Sequence, residues 1–431
     1  MKALIVGTGG VGESMAAIAK RRDPKGETFR KLVLADYDLP KAQAASKRLG
    51  EERFPAEQVD AFDTDAVVAL AEKYDVDVVC NLLPVYCDLP MMKAALKAKR
   101  HYLDTGMTDD PEPLPDGSKR PFQDQVQFDY HDQFVEIGKL ALLGHGIEPG
   151  MVDYFARYAA DHYFDEVEEM GVRDGATLEI PGHKGMAFVF DPWSTIDECT
   201  EPALVWEADK GFYEVEAFSD LETFVFPGGI GAQELGNVQH DEVIHIARNA
   251  HLLKGVKKAS FKYGVGAEFI GAIEVLKSLN LTTMDPVSFH GVEIAPRDFV
   301  ARVAPDPSEL CKGLVGLTSS GLWVKGKKGG LERQLYLYQA ADAEETLARL
   351  GMQVITAQTA FTAVITLEML DTGKLAGYRG NPKSGVRSPE EFHAEPYIAL
   401  MATYEFPGGL MEMDSEYKRA QEHAALTSPL K

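Results

Sequence analysis

Three glycines near the start of the chain restrict its fold more than any other feature. Gly7, Gly9 and Gly12 stand in the spacing G-x-G-x-x-G. The apolar run at residues 3–6, short enough for a buried strand, comes before them, and the good helix formers at 15–19 come after. A strand, a glycine turn and a helix are the setting in which this spacing binds a dinucleotide. Gly7 allows the tight turn, Gly9 lets the backbone approach a pyrophosphate, and Gly12 lets the helix pack close to its strand. Gly10 and Val11 complete the cradle, with the pyrophosphate on the free N–H groups of the helix. The bland alternative is a plain strand-to-helix turn, but a second signal follows in register. Lys31–Asp36 reads as a second buried strand ending in a carboxylate, delayed by the polar insert at 23–27. An acid there accepts hydrogen bonds from the adenosine ribose. Asp36 repels a 2′-phosphate, and Tyr37 and Asp38 bring no positive charge, so NAD is favoured over NADP.

A chain of 431 residues is long enough for two or three domains with sizeable cores. No run approaches the roughly 18 apolar residues of a membrane span. An N-terminus that is already a strand leaves no room for a signal peptide. Cys80, Cys87, Cys199 and Cys311 show no paired metal-ligand spacing, so a reduced, cytoplasmic setting is expected. Forty-four basic against 67 acidic residues give a net charge of −23. That argues against nucleic acid, whose phosphates need a basic face. It suits a cationic substrate such as a polyamine, and equally a well-solvated acidic surface.

Strand and helix alternate up to about residue 145. Residues 59–63, 76–83, 101–104 and 139–143 read as strands three to six, with helices at 65–73 and 91–99. This pattern implies a parallel sheet with helices on both faces, and ligand beyond the carboxyl ends of its strands. Residues 110–121 are a Pro-rich exposed loop. After about residue 151 the strands lose their regular helices. Strand-like runs lie at 186–190, 223–226 and 257–263, and a hairpin is expected from 321–326 and 331–338. Helices are expected at 268–278 and 354–370.

Several short segments, in order, resemble the saccharopine dehydrogenase superfamily over nearly the whole chain. They include Leu83-Pro84 with Tyr86-Cys87-Asp88-Leu89-Pro90, then His101-Tyr102-Leu103-Asp104-Thr105, and the stretch from Ala141 through His145-Gly146-Ile147-Glu148-Pro149-Gly150. His162 to Glu166, His240-Asp241-Glu242, residues 305–310 and Val324-Lys325-Gly326 continue it. Within the superfamily the chain is most similar to the carboxynorspermidine dehydrogenase branch. Residues 191–204 depart from that branch and are more similar to lysine 6-dehydrogenases, and Asp36 departs from the NADPH-using members. The resemblance implies an α/β protein with a Rossmann domain, a doubly wound parallel sheet, at 1–150. It implies an inserted α+β mixed-sheet domain for substrate and dimerisation at 151–350, and a C-terminal segment, 351–431, returning to the Rossmann domain. It also implies a homodimer, and hydride transfer at a C–N bond of an amino acid or polyamine-type substrate.

On that reading, Asp63, Asn81, Leu82, Pro84 and Thr105 join the glycine turn in holding the cofactor, because they stand at strand ends. Tyr86 follows directly and can reach substrate or pack as an aromatic. Asp104 can hold an ammonium or take a proton, or cap its turn. Glu148, Pro149 and Gly150 lead into a helix whose N-terminus can bind a substrate carboxylate. His240 is a plausible acid or base, with Glu242 beside the substrate. His240, Glu242 and His245 do not follow the H-E-x-x-H order, so no metal is expected. Trp193, Ser194 and Thr195 can line the substrate cavity. Arg173, Lys184 and Arg297 can bind carboxylates, although surface salt bridges are their commoner use. The expectation is an NAD(P)-dependent oxidoreductase acting on a C–N bond. A primary-amine dehydrogenase of the lysine 6-dehydrogenase kind and a non-catalytic dinucleotide sensor are the alternatives.

Overall fold

The computed structural model describes residues 1–107, 112–114, 116–307, 311–377 and 383–427. Residues 308–310 of the family resemblance, and 110, 111 and 115 of the Pro-rich loop, lie outside them. The chain forms two compact units: residues 1–158 with 356–407, and residues 159–355 with 408–431. Residues 356–407 group with the first unit, but the chain then leaves it again. The C-terminal segment therefore divides between the units instead of returning whole.

The first unit is built on seven parallel strands. They are β1 (Lys2–Val6), β2 (Lys31–Asp36), β3 (Ala56–Gln58), β4 (Val78–Asn81), β5 (His101–Leu103), β6 (Leu140–Leu142) and the late strand Gly385–Arg387. Their order across the sheet is Gly385–Arg387, β6, β5, β4, β1, β2, β3. The chain runs outward from β1 to β3, then crosses back to β4 on the other side of β1. That reversal makes a crevice at the carboxyl ends of β1 and β4. Both faces are covered, so β1 and β2 are continuous apolar runs without alternation; Leu4, Val6, Val33, Ala35 and Val79 are all almost wholly buried.

Strand three lies at 56–58, not at the expected 59–63. Val59 and Ala61 are buried, but Asp60 between them and Asp63 after them favour a turn. The Asp60 carboxylate accepts the Phe62 N–H at 2.9 Å. The Asp63 carboxylate accepts the Ala66 N–H at 3.0 Å and caps the helix Thr64–Lys73. Helix α1 (Gly10–Arg22) packs against the late helix Val354–Asp371. That helix is long and apolar enough by composition to cross a membrane, yet 83% of it is buried in the fold. A threonine stripe explains its place. Thr356 Oγ1 lies 3.0 Å from Ser14 Oγ of α1, Thr362 Oγ1 lies 2.8 Å from Tyr397 Oη, and Thr366 Oγ1 lies 3.0 Å from His145 Nδ1. At its far end Glu368 takes a two-pronged bond from Arg22, at 2.9 and 3.0 Å.

The second unit holds a mixed sheet of nine strands. These are β7 (Glu166–Ala176), β8 (Ala203–Glu207), β9 (Gly211–Val215), β10 (Glu222–Phe226), β11 (Gly231–Asn237) and β12 (Lys258–Gly264), then β15 (Leu317–Lys328), β16 (Leu331–Asp342) and the late strand Gly408–Glu412. The order is β10, β11, β12, β7, β15, β16, Gly408–Glu412, with β8 joining β12 to β9. β7 and β12 run parallel. The expected hairpin is longer than its apolar runs, with 12 residues in each strand. Gly329 and Gly330 turn it, both with positive φ, as a two-residue hairpin loop requires. Glycines also make room for rings on this sheet: a Cβ on Gly175 would stand 2.4 Å from the Phe226 ring. The run at 186–190 is no strand. Phe188 instead buries its ring with Ile196, Cys199 and Ile273. A separate hairpin, β13 (Val287–Phe289) and β14 (Val292–Ile294), leaves Val287, Phe289 and Val292 more than half exposed.

Candidate functional site

The glycine turn has the backbone shape its spacing demands. Gly7 has φ +96°, and a Cβ there would stand 2.7 Å from Leu82 O. A Cβ on Gly12 would stand 1.9 Å from Gly7 O, so the close pass of α1 over the turn tolerates no side chain. Around Gly9 no atom would lie within 4 Å of a Cβ, which leaves the approach to the turn open. No side chain caps the N-terminus of α1. An open glycine before an uncapped helix is what a pyrophosphate needs, so these residues fit a dinucleotide. Gly10 lies against Thr356, with a Cβ there 2.6 Å from Thr356 Cγ2. Val11, in the first turn of α1, is half-buried.

Asp36 ends β2 beside this turn and is tied to it. Its Oδ2 accepts the Thr8 N–H at 2.7 Å and the Thr8 hydroxyl at 3.1 Å, and Oδ1 accepts the Asp38 N–H at 2.9 Å. The acid expected to read the ribose therefore also fixes the first variable residue of the G-x-G turn.

The other strand ends are more structural than expected. Asn81 is buried and donates to Asp88 Oδ1 at 2.6 Å. Leu82 lends its carbonyl to the wall behind Gly7, and Pro84 precedes the 3-10 turn Val85–Cys87. Asp104 is fully buried. Its carboxylate accepts the Gly144 N–H at 2.6 Å and Gln127 Nε2 at 2.8 Å, which joins β5 to β6. Burial pushes its pKa up to about 7 against these donors and the Tyr102 hydroxyl. Asp104 has no exposed surface, and its carboxylate is engaged by these donors. Gln127 gave no signal in the sequence. Thr105 is half-buried beside it, and Tyr86 is 48% exposed. The turn at Glu148-Pro149-Gly150 leads into the helix Met151–His162 as expected. However, Asp153 Oδ2 already accepts the Gly150 N–H at 2.7 Å. The chain's own Asp153 carboxylate thus sits at the start of the helix where a substrate carboxylate was expected.

In the second unit, His240 stacks on Phe261 with ring centroids 4.0 Å apart and planes 6° from parallel. Its Nδ1 lies 2.5 Å from Oε2 of Glu242, which is fully buried. Burial pulls the imidazole pKa down, but the contact with Glu242 and the charges of Glu198 and Asp241 outweigh it and raise it to about 10. The Glu242 contact therefore favours the protonated form of His240. Glu198 faces the same group. Burial raises its pKa to about 7, with His240 opposing and Asp197, Glu242 and Asp191 reinforcing. Sequence reasoning passed over Glu198 because it is one acid among several in that helix. His245 is buried on the helix Glu242–Arg248.

The other candidates of this unit are held by internal bonds. Ser194 bonds Asp191, which caps the helix Pro192–Thr200, and the Thr195 hydroxyl donates to Asp191 O at 2.8 Å. The Trp193 indole donates to Asp298 at 3.0 Å, under the guanidinium of Arg297. Arg297 itself pairs with Asp197 and Glu201. Arg173 is buried and pairs with Glu222. Lys184 is exposed.

A doubly wound parallel sheet with this turn and this acid defines a dinucleotide-binding protein. Comparison with known proteins narrows the class. The saccharopine dehydrogenase NADP binding domain matches residues 3–142, and the saccharopine dehydrogenase C-terminal domain matches residues 146–405. Carboxyaminopropylagmatine dehydrogenase of Synechocystis sp. is 30% identical over 408 residues, 94% of this chain and 96% of that one. Carboxynorspermidine synthase of Vibrio alginolyticus is 29% identical over 425 residues, covering 96% and 98%. Among solved structures, the L-Glu-forming saccharopine dehydrogenase of Saccharomyces cerevisiae superposes with a TM-score of 0.68 at 13% identity, covering 96% of this chain and all of the other. The chain belongs to the saccharopine dehydrogenase family and is an oxidoreductase.

Proposed function

We propose that this oxidoreductase uses NAD to transfer hydride at a carbon–nitrogen bond of a carboxylated, polyamine-type amine. The observation that carries the reading is end-to-end similarity to two relatives whose names refer to such compounds, carboxyaminopropylagmatine and carboxynorspermidine. In the reductive direction an amine and an aldehyde condense with loss of water, and a hydride and a proton convert the imine to a secondary amine. In the oxidative direction the amine loses hydride and a proton, and water splits the imine to amine and aldehyde. The dinucleotide, when bound, supplies or accepts the hydride.

The protein's own residues bind and orient. Gly7 to Gly12 cradle the pyrophosphate, and Asp36 takes the adenosine ribose hydroxyls and repels a 2′-phosphate. Asp104 acts through the strand ends it joins, as a positioning residue. His240, oriented by its contact with Glu242, is assigned to hold a polar group of the substrate. Glu198, titrating near neutrality, suits an amine. We further propose a cytoplasmic homodimer, checked by light scattering on the purified protein.

The test is absorbance of reduced nicotinamide, with NAD and NADP run separately against lysine, saccharopine and carboxynorspermidine-type amines. Oxidation of a secondary amine with NAD is the expected result. Ammonia release from lysine would move the protein to primary-amine dehydrogenases. Dinucleotide binding with no turnover on any amine would leave a sensor.

A further inference from the structure

Half of the large apolar side chains that the described residues leave exposed, eight of sixteen, fall between residues 275 and 303 of the second unit. The β13–β14 hairpin is at their centre. Phe289 stands opposite Val292, and Val287 opposite Ile294. These four therefore share one face of the ribbon, and Ser288 and Glu293 share the other. His290 and Gly291 form the loop, both with positive φ, as a tight two-residue turn requires. Every residue from 284 to 293 is exposed. The hairpin is an arm that stands clear of the body of its unit.

The feet of the arm are firmly held. Arg297 Nε donates to Thr282 O at 2.7 Å, and the Arg297 N–H donates to Thr283 O at 3.1 Å. The same guanidinium pairs with Asp197 and Glu201. On either side of the feet a helix turns an apolar pair outward. Val275 and Leu279 lie at the end of the helix Ala267–Ser278, and Phe299 and Val303 lie on the helix Pro296–Val303. Each pair is spaced i, i+4 and so shares one helix face. All four are more than half exposed, as are Val287, Phe289 and Val292.

A two-stranded ribbon alone is marginally stable in water, so an arm with one apolar face calls for a cover. At more than half exposure each of these side chains offers on the order of 100 Å². Together they offer roughly 700 Å², close to the ~800 Å² that each partner gives to a standard interface and beyond the ~300–600 Å² of the largest patch on a typical monomer. Charge narrows the choice of cover. The chain carries a net charge of −23, yet residues 275–303 hold three bases, Lys277, Arg297 and Arg302, against three acids, Asp285, Glu293 and Asp298. Two copies can meet at this segment without the repulsion that their net charge brings elsewhere. A basic partner would find its counter-charge at residues 191–242, where thirteen acids face Lys210 alone.

We propose that the cover is a second copy of this chain. The β13–β14 arms of two chains pack apolar face on apolar face across a twofold axis, with the outward helix pairs flanking them. Such a contact uses the same patch on both sides, which suits a patch that is apolar and neutral. The proposal rests on the homodimer reading and adds where that dimer is joined.

The experiment is sedimentation equilibrium of the full-length protein over a range of concentrations, with the parent expected as a dimer. Phe289→Asp and Val292→Asp in one chain bring four carboxylates into the joint and should raise the dissociation constant at least a hundredfold. Val225→Asp, an equal charge on an exposed residue of β10, should leave it unchanged. Hydrogen exchange reads the same joint without substitution: amides of residues 284–294 should be protected in concentrated parent protein and lose that protection on dilution. A dimer that survives the double substitution overturns the proposal while the homodimer reading stands, and so does a dimer broken by Val225→Asp. A monomeric parent overturns both. If the double variant does not fold, exchange decides alone, and protection independent of concentration overturns the proposal. Protection that follows added NAD instead of protein concentration also overturns it, by making the arm a cover for a ligand of its own chain.

Discussion

Each unit holds a partly buried imidazole, and the two treat its proton in opposite ways. In the first unit, His101 Nδ1 accepts the Leu140 N–H at 3.0 Å, bridging β5 to the start of β6. Burial, helped by the nearby Lys139, pushes its pKa down to about 4, so the ring is neutral. In the second unit, His240 faces Glu242 and Glu198 and stays charged. In the first unit, side chains such as His101, Asp36 and Asp104 take main-chain N–H groups, fixing strand ends and leaving the glycine turn open. The second concentrates charge beneath its sheet. One is a frame for a ligand that brings its own negative charge; the other carries ions of its own, suited to a zwitterionic or cationic ligand.

The largest effect expected from disturbing this contrast is in the second unit. Glu242→Gln leaves the His240 charge without its buried counter-ion and should cost roughly 3–5 kcal/mol, read as a shift in the urea midpoint. An unchanged midpoint would mean that the pair is solvated in solution. In the first unit, Gly12→Ala drives a Cβ into Gly7 O and should weaken ADP-ribose by roughly 10²-fold. Calorimetry measures it, and the imidazole titration of His240 by NMR should stay where it was.

Stability against pH sharpens the same comparison. The His240 value lies above the ordinary 6.5, so its contribution is complete below pH 6.5 and is lost as pH rises through about 10. The His101 value lies below 6.5, so its contribution is complete above pH 6.5 and is lost as pH falls through about 4. Thermal melts of His240→Phe should therefore lose part of the alkaline fall, and those of His101→Gln part of the acid fall. Melts in which each substitution alters the other limb would reverse the assignment. The smallest effect is in cofactor choice. Asp36→Asn keeps an oxygen for Thr8 but loses the charge, and should lower the preference for NAD over NADP by about tenfold. The ratio of the two KM values tests it.

The sequence made the first unit legible through local rules. A buried parallel strand is an unbroken apolar run, and the glycine spacing forces one turn, so β1, α1 and β2 could be read directly. Strand three was misplaced because Val59 and Ala61 are as apolar as strand residues, while Asp60 and Asp63 claim the nearby N–H groups. Gly385–Arg387 had no signal: three residues pair with β6 after a separation of some 245 in the chain. The site was harder still. Asp104 looked like a group waiting for substrate, and only its neighbours Gly144 and Gln127 reveal that it is already engaged. Trp193, Ser194 and Thr195 are bonded within their own helix or to Asp298, and side-chain direction is not written in residue type.

The pairing of the late strands bears on how the chain is made. Gly385–Arg387 adds to the sheet of the first unit, and Gly408–Glu412 adds to that of the second. A ribosome working from the N-terminus therefore releases almost the entire chain before either sheet has its full set of strands. Until then β6 and β16 each present an unpaired edge, and such edges invite the wrong neighbour. The last fifty residues act as a closing step for both units at once. A nascent chain stalled before residue 385 would carry the glycine turn and the His240 cluster, yet lack the outer strand of each sheet.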